Sequence, residues 1–148
     1  MTYRDPALAR KTVDAIYRQD LYSFVWKTFD TLNQGRFIDA WHVRAMCFEL
    51  EQLISGENTR LVINIPPRHL KSITVAVAFV AYILGHRPDT KIIVASYGRD
   101  LARKHSEDCR RVMQSEWFKR AFPNTRLSKR QNTADAFHTT MGGSRKAV

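Results

Sequence analysis

The 148 residues carry 24 lysines and arginines against 14 aspartates and glutamates, a formal net charge of +10. That length allows one domain with a real core, and 44% hydrophobic content fits a globular chain. The charge favours polyanionic partners such as nucleic acid and nucleotide phosphate. Two cysteines, Cys47 and Cys109, and five scattered histidines fall short of a structural zinc site. Free thiols in a reducing compartment are expected. Residues 1–10 are not followed by an apolar run, so no secretory signal is expected. The most apolar window, residues 73–84, is too short to span a bilayer and reads as a buried helix, so no membrane association is expected.

Pro6 opens a helix-compatible stretch that runs to Gln34 as one helix or two and ends at Asn33 and Gly35. A further helix is predicted from Ile38 or Asp39 to about Ser55, packing through Trp41, Ala45, Phe48, Leu53 and Ile54. The period then changes. Residues 61–65, Leu-Val-Ile-Asn-Ile, read as a buried strand stopped by Pro66 and Pro67. The apolar helix follows and closes at Gly85 and Pro88; residues 91–96 read as a second strand, and 101–112 as its helix. This alternation predicts an α/β fold with a parallel sheet and flanking helices. The two strands are expected side by side or in one sheet, with Val75, Phe79, Val80 and Ile83 buried against it. Trp117, Phe118 and Phe122 suggest a short packed helix, residues 123–135 a polar loop, and residues 136–140 and 144–148 a hairpin around Met141-Gly142-Gly143.

The unit richest in chemistry is residues 61–72, Leu-Val-Ile-Asn-Ile-Pro-Pro-Arg-His-Leu-Lys-Ser. A loop between a buried strand and a helix start presents backbone N–H groups and the positive end of the helix dipole to phosphate. In the phosphate-loop pattern G-x-x-x-x-G-K-[ST], the lysine reaches the β- and γ-phosphates and the hydroxyl reaches magnesium. Lys71 and Ser72 take those places, while Ile65 and Leu70 stand where the pattern has glycine. The plainer reading is a polar helix start.

Three ordered blocks carry a resemblance. Trp41-His42 with RLVINIPPRHLKS (residues 60–72), KIIVASYGRDLARKHSEDCR (91–110) and FHTTMGGSRKAV (137–148) resemble the front part of the ATPase domain of the phage terminase large subunit family. The likeness spans about residue 38 to the end. It implies a P-loop NTPase-like parallel sheet, incomplete here, over residues 38–148, preceded by an N-terminal helical segment over 1–37. In that family, hydrolysis of ATP drives viral DNA into a procapsid and a nuclease domain cuts it. The implied cofactors are ATP and Mg2+. The implied partners are duplex DNA, the small terminase subunit, the portal protein and, in the full-length motor, further copies of the chain, all in the cytoplasm of a bacterial host.

Carried over residue by residue, Lys71 resembles the phosphate-binding lysine and Ser72 the magnesium-side hydroxyl. Pro67, Arg68, His69, Leu70 and Ile73 complete the loop around them. Arg68 matches a γ-phosphate contact or sensor, or is a surface arginine. Trp41 and His42 match an adenine-side contact, with a core role equally open for Trp41. His69 shapes the loop or is exposed. Ser96 and Tyr97 sit at the C-terminal end of the second strand, where open α/β sheets place ligands. Arg99, Arg103, Lys104, Arg110 and Arg111 form a DNA track or a solvated helix face. The family's acidic strand has no counterpart here: Asp135 precedes the Gly-Gly block. The alternative reading is a catalytically inactive basic remnant that binds nucleic acid or another terminase chain.

Overall fold

The computed structural model describes residues 5–33 and 35–148. The first two helices are α1, Pro6–Gln19, and α2, Leu21–Leu32. Asp5 caps α1, its side chain accepting from the Ala7 amide at 2.9 Å, and Pro6 fills the first turn. Asp20 explains why one long apolar pattern becomes two helices. Its amide donates to the Ile16 carbonyl and closes α1, while its carboxylate accepts from the Ser23 amide at 2.7 Å and opens α2. The predicted stop holds at Asn33; Gln34 and residues 1–4 lie outside the described residues.

Helix α3 spans Trp41–Ser55 and ends at Gly56, whose φ of 82° makes the left-handed cap that glycine adopts without strain. Of its predicted packing residues, Leu53 and Ile54 do pack against the core, whereas Trp41, Ala45 and Phe48 do not. Val43, Met46, Cys47 and Leu50 are buried, while Trp41 and Phe48 are 80% and 61% exposed. The buried set follows the i, i+3, i+4, i+7 stripe that one helix face requires. Lys71 and Ser72 are helical and lead into a π-helical segment, Ile73–Phe79, and then α4, Val80–His86. The buried helix predicted from the apolar window is therefore present. Of its expected sheet-facing residues, Val80 is buried, and Val75, Phe79 and Ile83 are only half-buried.

Beyond α4 come β1 (Lys91–Val94), α5 (Arg99–Gln114), α6 (Glu116–Ala121), β2 (Leu127–Asn132), β3 (Ala136–Thr139) and β4 (Ser144–Ala147). The sheet order is β1-β4-β3-β2. Only β1 and β4 run parallel; β4–β3 and β3–β2 are antiparallel. The α/β class holds, but the sheet is mixed and mostly antiparallel rather than parallel. Two local expectations change with it. Residues 61–65 form no strand and belong to no sheet; among the described residues none of them makes a backbone–backbone hydrogen bond. The polar stretch expected to be a loop instead contains β2, an edge strand that leaves Lys129, Arg130 and Gln131 in solvent. The hairpin of β3 and β4 forms as expected. Gly143 lies so close to the Pro88 carbonyl that a Cβ would collide with it, and its amide donates there at 3.0 Å.

One core joins these parts. Phe24 of α2 makes edge-on contacts with Tyr82, Trp117, Phe118 and Phe122 at centroid distances of 5.1–6.1 Å. The N-terminal helices thus share their core with the rest of the chain. Polar ties fasten α1 to α6: Arg120 donates to the Asp14 carboxylate at 2.9 Å, and Arg18 to the Ala121 carbonyl at 3.0 Å. Cys47 and Cys109 are free and buried, and burial pushes both thiols up to about 12. Among the described residues no helix is long and apolar enough to cross a membrane.

Arg145 is the largest group among the buried side-chain polar atoms left without a partner, which also include those of Thr28, Thr74 and Ser106. It is fully buried on β4, and none of its three guanidinium nitrogens has a hydrogen-bond partner. Burial pushes its pKa down; burial, and then the charge of Arg145, hold His105 of α5 below the usual histidine value. An unpaired buried cation opposes folding. Arg145→Met keeps the length of the side chain and removes the charge. It is expected to raise the urea midpoint at unchanged slope, a gain of about 1–4 kcal/mol. A loss of stability would mean that the guanidinium has a stabilising partner.

Candidate functional site

The loop between residues 61–65 and the buried helix is where the predicted site residues gather. Pro66, Pro67, Arg68, Leu70, Lys71, Ser72 and Ile73 line one cavity of about 240 Å3. Its backbone is unusual. Arg68 and Leu70 have φ of 67° and 62°, the only non-glycine residues with positive φ among the described residues. The left-handed region crowds a Cβ against the following carbonyl and costs roughly 1–2 kcal/mol per residue. Leu70, at a position where the phosphate-loop pattern has glycine, has the positive φ that glycine takes without strain. His69 braces the turn: its Nδ1–H donates to the Pro67 carbonyl at 2.8 Å.

The helix start supplies the electrostatics. Its first turn closes with a bond from the Thr74 amide to the Leu70 carbonyl at 2.9 Å, so the amides of Lys71, Ser72 and Ile73 lie ahead of that bond, where a helix leaves donors free. Lys71 and Arg68 are exposed, and neither forms an ion pair among the described residues. Two uncompensated cations beside free amides at the positive end of a helix dipole form an anion-binding arrangement.

Trp41 and His42 are brought to the same loop from α3. The His42 and His69 rings meet edge to face at 5.4 Å, and Trp41 stands 6.2 Å from His42. A network just before α3 fixes the first turn there. Arg44 grips Asp39 through two hydrogen bonds of 2.7 and 3.1 Å, Tyr22 donates to the same carboxylate at 2.6 Å, and the guanidinium lies 4.0 Å over the Tyr22 ring. The hydrogen bonds from Arg44 and then Tyr22 hold Asp39 below the usual carboxylate range. A cavity of about 560 Å3 lies between α3 and residues 61–65, bounded by Trp41, His42, Ala45, Glu49, Pro66 and His69 among others. The sequence reading missed Ala45 and Glu49 as site residues, although their i, i+4, i+8 spacing from Trp41 places the three on one face.

On the other side of the loop, Lys71 and Ser72 border a cleft of about 760 Å3 that also reaches Ser96 and Tyr97, just beyond the end of β1. Tyr97 is 98% exposed, which excludes a packing role for it. No acidic residue lines this cleft or the loop cavity. On and beside α5, Asp135 meets Arg99 at 3.4 Å and Arg103 at 3.5 Å, and Asp108 meets Lys104 at 3.1 Å. The charged face of α5, read as a DNA track or a solvated helix face, is thus partly neutralised. Among the described residues no group of three histidine, cysteine, aspartate or glutamate side chains could hold a metal ion.

The fold and site define an α/β protein with a strained, cationic loop at a helix start. Comparison with models of protein families, with curated proteins and with solved structures gave no match.

The strain can be tested apart from any ligand. Arg68 is exposed, so Arg68→Gly removes little packing while relieving a left-handed non-glycine residue. It is expected to raise unfolding stability by about 1 kcal/mol in urea titration. A destabilisation of that size would show that residue 68 is not held in the left-handed region.

Proposed function

We propose that this chain is a nucleotide-phosphate-binding unit, the front part of a P-loop ATPase of the terminase large subunit kind. The observation that carries the reading is the loop over residues 66–70. Without either pattern glycine, it bends through two left-handed residues and delivers Lys71 and Ser72 to a helix start. Strain of this kind is kept where a backbone must turn its amides toward a ligand. In the reading, the amides of residues 70–73 and the Lys71 ammonium hold the β- and γ-phosphates of ATP, and Arg68 approaches the γ-phosphate from the exposed side. Trp41, His42 and His69 offer aromatic faces for the base.

The fit to magnesium is narrower. Ser72 offers one hydroxyl oxygen, and the lining of the cleft offers no carboxylate. Mg2+ bound with ATP draws most of its ligands from phosphate oxygens and water, so Ser72 suits the role of a single protein ligand. Activation of the attacking water is assigned to none of these residues. When present, the metal would neutralise charge on the phosphates. Duplex DNA, a small terminase subunit, a portal protein and further copies of the chain belong to the same proposal as partners of the motor. The +10 charge supports a polyanionic partner.

Calorimetric titration of MgATP into the chain and its Lys71→Ala variant tests the reading. The native chain is expected to bind, and the variant to bind at least about tenfold more weakly, as the loss of one charge-assisted phosphate contact of about 1.5–3 kcal/mol implies. Binding of equal strength by a folded Lys71→Ala chain would remove the assignment.

A further inference from the structure

Among the described residues Arg145 is the one lysine, arginine, aspartate or glutamate wholly shielded from solvent, and its Nε, Nη1 and Nη2 all lack a partner. No ion pair of the described residues includes it. The sheet register sets it between Ile92 of β1 and Phe137 of β3, so the three share one face. Helix α5 packs against β4, and the charge of Arg145 bears on His105 and Cys109, one turn apart on that helix. The His105 Nδ1 is also buried and unpartnered. Two of these neighbours, Ile92 and His105, line the cleft of about 760 Å3. The guanidinium therefore lies behind the part of the cleft wall that they form. A cation taken out of water with all its donors free calls for an anion, because apolar neighbours cannot replace its hydration.

We propose that a small carboxylate enters the cleft past Ile92 and His105 and pairs with the Arg145 guanidinium through two parallel N–H···O bonds. A guanidinium is a planar fork whose donors match the two oxygens of a carboxylate. One negative charge balances one positive charge, so the pair is neutral between the apolar Ile92 and Phe137. In its Nδ1–H tautomer His105 adds a third donor. Chloride offers no second oxygen to the fork, and a bulky carboxylate such as gluconate does not pass the wall. Residues 68–73 take no part, so the inference stands apart from the nucleotide reading.

Urea unfolding of the full chain in formate, chloride or gluconate at equal ionic strength is the test. Formate at about 100 mM is expected to raise the native midpoint over that in gluconate by about 1 M, as a dissociation constant of about 1 mM implies. The stability gain expected of Arg145→Met belongs to carboxylate-free conditions, and that chain is expected to unfold alike in formate and gluconate. The Lys71→Ala chain is expected to respond as the native chain does. Nuclear magnetic resonance titration of the His105 imidazole gives a second readout on the native chain. Burial, then the charges of Arg145 and Lys104, hold its pKa down, and Asp108 opposes them. Formate, by neutralising Arg145, is expected to raise that pKa, and gluconate to leave it unmoved. Equal midpoints and an unmoved His105 in formate and gluconate would overturn the proposal. A formate effect that persists in Arg145→Met, or equal stabilisation by chloride, would overturn it too.

Discussion

The candidate site depends on how firmly the helix after the loop is anchored. Thr74, Val77, Ala78, Val80, Ala81 and Leu84 are buried, and the neighbours that enclose this run come from α2, α3 and α5. Each fully buried aliphatic side chain contributes roughly 1.5–3 kcal/mol, so the combined hold exceeds the few kcal/mol needed to keep Arg68 and Leu70 in the left-handed region. The helix start cannot drift, and Pro66 and Pro67 stiffen the approach to it. The loop between must turn within a few residues, and the strain falls on positions 68 and 70.

That anchoring separates two kinds of surface. On one side of the loop, α3 presents Trp41 and His42, held by the Asp39–Arg44–Tyr22 network. On the other, the cleft leads past Ser96 and Tyr97 to the open edge of β1. The chemistry at the loop and along the cleft is cationic and donor-rich, with no acid in the lining of either. It suits the binding of a polyanion and gives no residue to activate water. The buried, unpaired Arg145 on β4 works against stability.

Much of the architecture was legible because it rests on local chemistry. Pro6 marks a helix start, Gly56 marks an end, and Gly142 with Gly143 marks the hairpin, each through a conformational requirement that a reader of the sequence can apply, whereas the Asp20 cap that divides α1 from α2 was not read. The failures are equally physical. Residues 61–65 have the composition of a buried strand, but a strand exists only when a neighbour pairs with it, and none of the described residues does. The sequence Leu-Ser-Lys-Arg-Gln-Asn looks like a loop because β2 is an edge strand with most of its side chains in water. Trp41 and Phe48 attracted a packing role by size, whereas the stripe from Val43 to Leu50 decided which face of α3 turned inward. At the site, the residue types of the loop were legible and its backbone was not: leucine and arginine at positive φ carry no signature in the sequence.

The central claim is that anions are held by the loop amides rather than by the general positive charge of the surface. Amide chemical shifts of the ¹⁵N-labelled chain, followed during titration with inorganic tripolyphosphate, separate the two. The account predicts that the largest saturable shifts fall on Arg68, His69, Leu70, Lys71, Ser72 and Ile73, where free amides and two unpaired cations meet. Shifts spread over exposed basic residues such as Lys129 and Arg130, with residues 68–73 unmoved, would contradict it.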